Sequence, residues 1–281
     1  MIVFPNCKIN LGLNILRKRS DGYHDLETVF YPLPLTDILE IIEYKNHTRT
    51  PSIPFTITGL PVKGEAASNL CIRAYKLLKK DFQHLPHIQV HLHKVIPTGA
   101  GLGGGSADAA FTLLLLNDLF RLKISHEQLI DYAAQLGSDC PFFIINKPCF
   151  AKGRGEKLEE LKVDLSNYKF IIIHPNIHID TGRAFLNITP ALPARSLKEI
   201  ITSPLQTWKD ELINDFENVI FPDHKEIAAI KEKLYRAGAI YASMSGSGST
   251  VYGIFEKRSQ PELQFPGTYF VKEVNARQAD T

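Results

Sequence analysis

Between Cys7 and Ile15 apolar and polar residues alternate without a break. Cys7, Ile9, Leu11, Leu13 and Ile15 fall on one side, with Lys8, Asn10, Gly12 and Asn14 on the other. A period of two predicts a strand with one face on a core. Its second face is unusual, because a solvated strand face is ordinarily dressed with Thr, Glu or several Lys rather than two Asn, a Gly and one Lys. A polar edge strand accounts for this pattern as well as a functional face does. Ser20-Asp21-Gly22 predicts a turn, and residues 26–31 and 37–44 read as strands separated by Pro32 and Pro34. A helix is expected over 69–80, capped by Ser68 or Asn69, with Leu70, Ala74, Leu77 and Leu78 inward. Residues 87–96 form another strand, with Ile88, Val90 and Leu92 opposite His91 and His93. Two His at that spacing can share a metal, but no third ligand has a matching position, and a wet strand face fits better.

Further along, PTGAGLGGGSADAA at 97–110 joins that strand to a helix over Ser106–Phe120, striped by Ala107, Ala110, Phe111, Leu114 and Leu115. A second helix over 126–136 buries Leu129, Ile130, Ala133 and Leu136, and Gly137 is placed as its left-handed C-terminal cap. Ser138-Asp139-Cys140-Pro141 then turns the chain into the apolar run FFII. Residues 152–168 are charged and carry two Gly, so a lobe boundary is expected near 153, giving lobes 1–153 and 154–281. The second lobe opens with a buried strand at Phe170–Ile173. It continues to an amphipathic helix over His224–Ala237 closed by Gly238, then to YASMSGSGSTVYGIF, a second glycine loop between apolar strands.

Composition narrows the class. At 281 residues, two lobes are more natural than one core, and 44% hydrophobic with 22% charged residues is ordinary for a soluble globular protein. A net charge of +2 without a run of like charges argues against a nucleic-acid or membrane partner but leaves small anionic ligands open. The four cysteines show no CxxC spacing, and the N-terminus lacks the basic and apolar regions of a signal peptide. The apolar run Leu113–Leu116 is far short of the ~20 residues a membrane span needs. A cytoplasmic location follows as the expectation.

The loop at 97–110 is either a tether or a cradle. It lies between a strand and an apolar-striped helix, which favours the cradle. Gly lets the backbone approach a ligand closely, successive N–H groups form an anion-binding concavity, and the helix adds roughly half a positive charge at its N-terminus. Ser106 can cap that helix or donate to phosphate. Gly99, Gly101 and Gly104 formally match the dinucleotide fingerprint, yet Pro97 intervenes and no acidic residue ends a second strand about 20 positions on. A P-loop is excluded because Gly-Lys-Ser/Thr is absent, and the protein-kinase motifs are missing too. Phosphoryl transfer would also need a cation and a group that handles the acceptor hydroxyl. Lys8 and Asp139 are candidates for these roles, and neither is convincing alone.

Three stretches together resemble the GHMP kinase superfamily: PNCKINLGLNI, PTGAGLGGGSADAA and SMSGSGSTVYGIF. The opening CKINLGLNILRKRSDGYHDLETVF is most similar to the branch that acts on the cytidine diphosphate conjugate of methylerythritol. Cys7 stands where many members have Ala, and Ala100 where some have Gly. The resemblance implies an α+β, two-lobed fold, with a first lobe like ribosomal protein S5 domain 2 and a ferredoxin-like second lobe. It implies an ATP-dependent kinase transferring phosphate to the 2-hydroxyl of the methylerythritol unit, with Mg²⁺ as the counter-ion of ATP and metal ligands unassigned. Lys8 and Asp139 match the family's catalytic Lys and Asp. Asn69, Leu70, Lys94, Pro97, Thr98, Gly99, Ala100, Gly101, Leu102, Gly103, Gly104, Gly105 and Ser106 match its ATP-binding positions. Asn10, Tyr23, His24, Phe30, Thr181 and Phe185 match substrate positions, with Tyr23 and Phe185 expected to sandwich the cytosine and His24 to bond its edge. For Asp108, helix-dipole stabilisation and contact with a phosphate-bound Mg²⁺ are both open.

Overall fold

The computed structural model describes residues 1–45, 53–62 and 64–276. Its strands are β1 (Ile2–Val3), β2 (Asn6–Lys18), β3 (His24–Thr36), β4 (Ile38–Glu43), β5 (Phe55–Gly59), β6 (Ile88–Lys94), β7 (Cys149–Gly153), β8 (Lys157–Glu160), β9 (Tyr168–His174), β10 (Tyr241–Met244), β11 (Val251–Glu256) and β12 (Phe270–Asn275). Its helices are α1 (Leu70–Asp81), α2 (Gly104–Leu119), α3 (His126–Leu136), α4 (Cys140–Ile145), α5 (Thr181–Asn187), α6 (Leu197–Ile200), α7 (Trp208–Glu211), α8 (Phe216–Asp223) and α9 (Lys225–Arg236). The chain is α+β, as the sequence leads one to expect. No described helix is long and apolar enough to cross a membrane.

The residues cluster into two compact units. The first contains Met1–Cys7, Leu35–Thr98 and Gly103–Asn146. Its sheet runs β1-β4-β6-β5, antiparallel except for the parallel pair β5 and β6. Helix α2 packs against α1, α3, α4 and β4. It is therefore buried on more than a single stripe: Asp108, Ala109, Thr112, Leu113 and Leu116 join Ala107, Ala110 and Leu115 inside, whereas Phe111 and Leu114 are only half-buried. The expected stripe assumed one wet side, which this central helix lacks. Asn69 caps α1 by accepting from the Cys71 amide, while Ser68 ends a preceding 3₁₀ turn. Ser125 and Gln128 form a reciprocal capping box at the start of α3. At the other end of α3, Gly137 is extended rather than left-handed. The chain leaves α3 straight into the turn before α4, and the run FFII belongs to that helix.

The second unit contains Lys8–Pro34, Gly99–Leu102 and Lys147–Thr281. One sheet runs β2-β3-β7-β8 and another, antiparallel, runs β10-β11-β9-β12. Strand β3 does not stop at Pro32 and Pro34. Its pairing with β7 ends at Phe30 opposite Cys149, so both prolines fall beyond the β7 ladder, where neither has to donate to that neighbour. A core of Ile171, Ile173, Phe216, Ile227, Ile230, Leu234, Val251 and Phe255 lies under α8 and α9, joined by Leu13, Ile15 and Leu26 from β2 and β3. The two faces of β2 are both covered: Lys8, Asn10 and Asn14 are as buried as the apolar set. Strand β2 does stand at the edge of its sheet, but its polar face is not solvated, since a solvated face would not bury a lysine and two amides.

Candidate active site

The buried polar face of β2 forms a connected cluster. Lys8 Nζ donates to Asn10 Oδ1 at 2.6 Å, and Asn10 Nδ2 donates to Thr28 Oγ1 at 2.9 Å. Thr28 in turn donates to the Gly12 carbonyl at 2.6 Å. The Lys8 ammonium stands 4.9 Å from the centroid of the Phe30 ring, a cation–π arrangement. Lys8 is thus held at a fixed point by an amide oxygen and an aromatic face, and its charge is poorly screened because the residue is only 3% exposed.

This cluster is strapped to both glycine loops. The Lys8 amide donates to the Leu102 carbonyl at 3.0 Å, and the Asn10 amide donates to Ser245 Oγ at 3.2 Å. Ser245 Oγ donates to the Gly101 carbonyl at 2.8 Å, and Tyr252 donates to the Asn10 carbonyl at 2.7 Å. A Cβ on Gly101, which has φ +80°, would lie 2.0 Å from the Ser245 carbonyl oxygen. Only Gly permits that approach of the two loops. The second loop is held from below by Asn214 Nδ2, which donates to the Met244 and Gly246 carbonyls at 2.7 and 2.9 Å. Thr28, Ser245 and Asn214 are the members of this arrangement that sequence reasoning did not single out. The SMSGSGST stretch marked Ser245, whereas Thr28 and Asn214 carry no local signature.

In the first unit, Gly103 adopts the left-handed conformation and opens α2, whose helical geometry starts at Gly104, two residues before the expected Ser106. Ser106 is therefore not the cap. It stands in the first turn, with its hydroxyl facing the Cys140 thiol. A pocket of about 190 Å³ lies alongside, lined by Ile57, Asn69, Leu70, Thr98, Gly105 and Asp108 among others. The Lys94 ammonium, also on this pocket, is paired with Asp37 and, at 2.7 Å, with Asp108. Asp37 additionally accepts the Val95 and Ile96 amides at 2.6 and 2.8 Å. Burial, opposed by Lys94 and reinforced by the neighbouring Asp37, pushes the Asp108 carboxyl up to about 7. Its Oδ1 has no hydrogen-bond partner among the described residues. Asp139 immediately precedes α4 in right-handed helical conformation and makes no capping bond to that helix.

The DGYH turn belongs to the second unit. Arg19 grips Asp21 and Asp25, Arg17 also pairs with Asp25, and the Tyr23 amide donates to Asp21 Oδ1 at 3.1 Å. Tyr23 is 55% exposed, with the Arg154 guanidinium 4.4 Å from its ring centroid. His24 is buried and stacks on Phe185, with ring centroids 5.2 Å apart and planes 16° apart. Phe185 rests edge-on against Phe216 at 4.9 Å. Burial, aided by Lys18, lowers the pKa of the His24 imidazole below its ordinary value. Thr181 Oγ1 is 2.7 Å from Ser247 Oγ, on the second glycine loop. The ring stacked on Phe185 is thus His24, while Tyr23 partners Arg154.

Comparison with known proteins bears on this arrangement. Residues 69–147 match the GHMP kinases N-terminal domain, and residues 191–264 match the GHMP kinases C-terminal domain. A 4-diphosphocytidyl-2-C-methyl-D-erythritol kinase of Azobacteroides pseudotrichonymphae is 53% identical over 93% of this chain and 96% of its own length. The chain belongs to the GHMP kinase family. A kinase of the same name from Bacteroides thetaiotaomicron is 52% identical to this GHMP kinase over 95% of both chains. Among solved structures, a 4-(cytidine 5'-diphospho)-2C-methyl-D-erythritol kinase covers 90% of each chain with a TM-score of 0.74 at 29% identity. The mevalonate kinase of Methanococcus jannaschii, at 15% identity and a TM-score of 0.66, shares the fold.

Proposed function

We propose that this chain is an ATP-dependent kinase that phosphorylates the 2-hydroxyl of 4-diphosphocytidyl-2-C-methyl-D-erythritol, a step in the non-mevalonate route to isoprenoid precursors. The observation that carries this reading is identity above half, over nearly the whole chain, with kinases of that name. The buried cluster of Lys8, Asn10, Thr28 and Phe30 supports it, because a lysine and two polar partners inside a strand face need a reason to be there.

The residues fit ATP. Left-handed Gly103 presents the amino end of α2, a helix of 16 residues, where oriented N–H groups and the helix dipole favour phosphate. The pocket beside it, walled by Ile57 and Leu70, suits a flat base, with Asn69, Thr98 and Asp108 as its polar contacts. Among the described residues no group of three or more His, Cys, Asp or Glu could hold a metal. Mg²⁺ that arrives with a nucleotide keeps waters and phosphate oxygens as most of its ligands. When bound, ATP supplies the phosphoryl group and Mg²⁺ spreads its charge.

The remaining chemistry belongs to the chain. Gly99 to Ser106, with Pro97 and Thr98 leading in, hold the phosphates. Lys94 acts from beneath the base pocket through Asp108. Asp139 accepts or orients the acceptor hydroxyl proton, and Lys8, fixed by Asn10 and Phe30, steadies the developing negative charge. Tyr23, His24, Thr181 and Phe185 take the cytidine end, with His24 bonding the base edge. The enzyme works in the cytoplasm on this reading.

The test is a panel of acceptor alcohols with ATP, followed by ADP release. Turnover is expected with the cytidylylated methylerythritol and not with homoserine or mevalonate; the reverse preference would overturn the assignment. Asp139→Ala should abolish transfer while ATP binding stays close to that of the parent enzyme, and near-normal turnover would remove Asp139 from the chemistry.

A further inference from the structure

The cluster around Lys8 contains a hydroxyl whose single proton decides how the cluster is wired. Gly12 stands in β2 at φ +70°, and its carbonyl, which can only accept, takes the Thr28 hydroxyl proton at 2.6 Å. Thr28 Oγ1 therefore turns only lone pairs toward Asn10. The Asn10 amide answers with its donor, Nδ2, at 2.9 Å, and that choice leaves Oδ1 facing the Lys8 ammonium at 2.6 Å. Ser245 Oγ also stands 3.5 Å from Oδ1, but its own proton is spent on the Gly101 carbonyl at 2.8 Å. Thr28 and Asn10 are 1% and 2% exposed, so bulk solvent is in no position to replace a lost partner.

The opposite orientation of the amide fails on both sides. A flipped Asn10 would set its NH₂ against the ammonium, donor against donor, and its oxygen against the Thr28 lone pairs, acceptor against acceptor. Only the observed orientation satisfies Thr28, Asn10 and Lys8 together, and the Gly12 carbonyl makes it compulsory by taking the one proton that could have reversed it. We infer that Thr28 is a positioning residue for phosphoryl transfer: it sets the Asn10 amide so that the amide oxygen fixes the Lys8 ammonium. The inference rests on the reading of Lys8 as the cation that steadies developing charge, and not on which alcohol is the acceptor.

Steady-state kinetics on the full chain test this, with whichever alcohol of the acceptor panel the parent enzyme phosphorylates. Thr28→Val keeps the β-branched shape and removes the hydroxyl. Its kcat should fall by about 100-fold, the range that a misplacement of ~1 Å costs an oriented site, while KM for ATP stays put. Thr28→Ser, which keeps the hydroxyl, should restore most of kcat. Asn10→Leu should lose kcat as well, and adding Thr28→Val to it should cost little more, because a residue that acts through Asn10 then has nothing left to act on. A merely structural Thr28 would instead multiply the two losses. If Thr28→Val does not fold, Thr28→Cys, with a weaker donor and acceptor in the same place, must still lose kcat against Thr28→Ser. Near-parental kcat in the Val or Cys variant, a raised KM with kcat unchanged, or independent losses in the double variant would overturn the proposal. An active parent with an active Thr28→Val counts against Thr28 alone; a parent inactive on every alcohol counts against the kinase reading and removes the role of Thr28 with it.

Discussion

Lys94 provides the sharpest test of how the first unit is held together. Its ammonium, 1% exposed, is shared by Asp37 and Asp108, whose side chains are 0% and 4% exposed. Lys94→Met keeps the length of the stem and removes the charge. Asp37 Oδ1 retains the Val95 and Ile96 amides, but both carboxylates lose their cation. Removing one partner from a buried ion pair costs about 3–5 kcal/mol, because the survivor stays desolvated and uncompensated. At roughly 2–4 °C per kcal/mol for a chain of this order, the unfolding midpoint should drop by about 10 °C in calorimetry at pH 8. Asp108→Asn retains an oxygen for Lys94 and removes a carboxyl that burial already drives toward neutrality, so its cost should be nearer ~1 kcal/mol. Linkage separates the two further. With its folded value near 7, against an ordinary carboxyl near 4, Asp108 binds its proton more tightly in the folded state. Its contribution to stability is thus complete below the ordinary value and is lost as pH rises through about 7. Subtracting the Asp108→Asn profile from the parent profile should isolate that fall. A midpoint shift below ~3 °C for Lys94→Met, or equal damage from the two variants, would show that the triad is solvated and the reasoning wrong.

Other outcomes are expected at the same level of detail. Gly101→Ala places a Cβ 2.0 Å from a carbonyl oxygen at positive φ and should cost upwards of ~2 kcal/mol together with most of the activity. Gly99→Ala, also at positive φ but with no atom within 4 Å, should cost only ~1 kcal/mol; denaturant titrations that rank the two equally would argue against close loop approach as the cause. Burial depresses His174 to about 4, so its contribution is complete above an ordinary imidazole value and is lost as pH falls toward 4; a His174→Gln profile parallel to the parent between pH 6.5 and 4 would contradict this. Tyr23→Ala should raise KM for the cytidylylated acceptor much more than KM for ATP, and equal effects in steady-state kinetics would detach Tyr23 from the pyrimidine.

The alternation from Cys7 to Ile15 was legible as a strand, and the suspicion that its polar side was unusual came from residue types alone. What covers that side was not legible, because Thr28, Ser245 and Tyr252 reach Asn10 from distant parts of the chain. The start of α2 was misplaced by two residues since Gly104 and Gly105 have poor intrinsic helix propensity; here tertiary packing overrides it, with a Cβ at 104 lying 2.9 Å from Ile96. Pro32 and Pro34 suggested a break because local rules cannot know where a neighbouring strand ends. Gly137 failed for a related reason: a left-handed cap is a common way to end a helix, and the chain takes another. Lys94 was legible as a basic position by the nucleotide, but its pairing with Asp37 spans 57 residues and has no local trace.

The interleaving of the two units bears on how the chain is made. The ribosome delivers every segment of the first unit by residue 146. Strands β2 and β3, although they emerge almost first, belong mostly to the second unit and depend on β7 and on the core around Phe216 and Ile227. They must therefore wait, with apolar residues uncovered, while α1 to α4 assemble. A nascent chain of this kind carries its own aggregation hazard through the middle of synthesis. It also resists being cut into halves: a fragment ending near residue 146 would complete one unit and strand the lysine-bearing strand of the other.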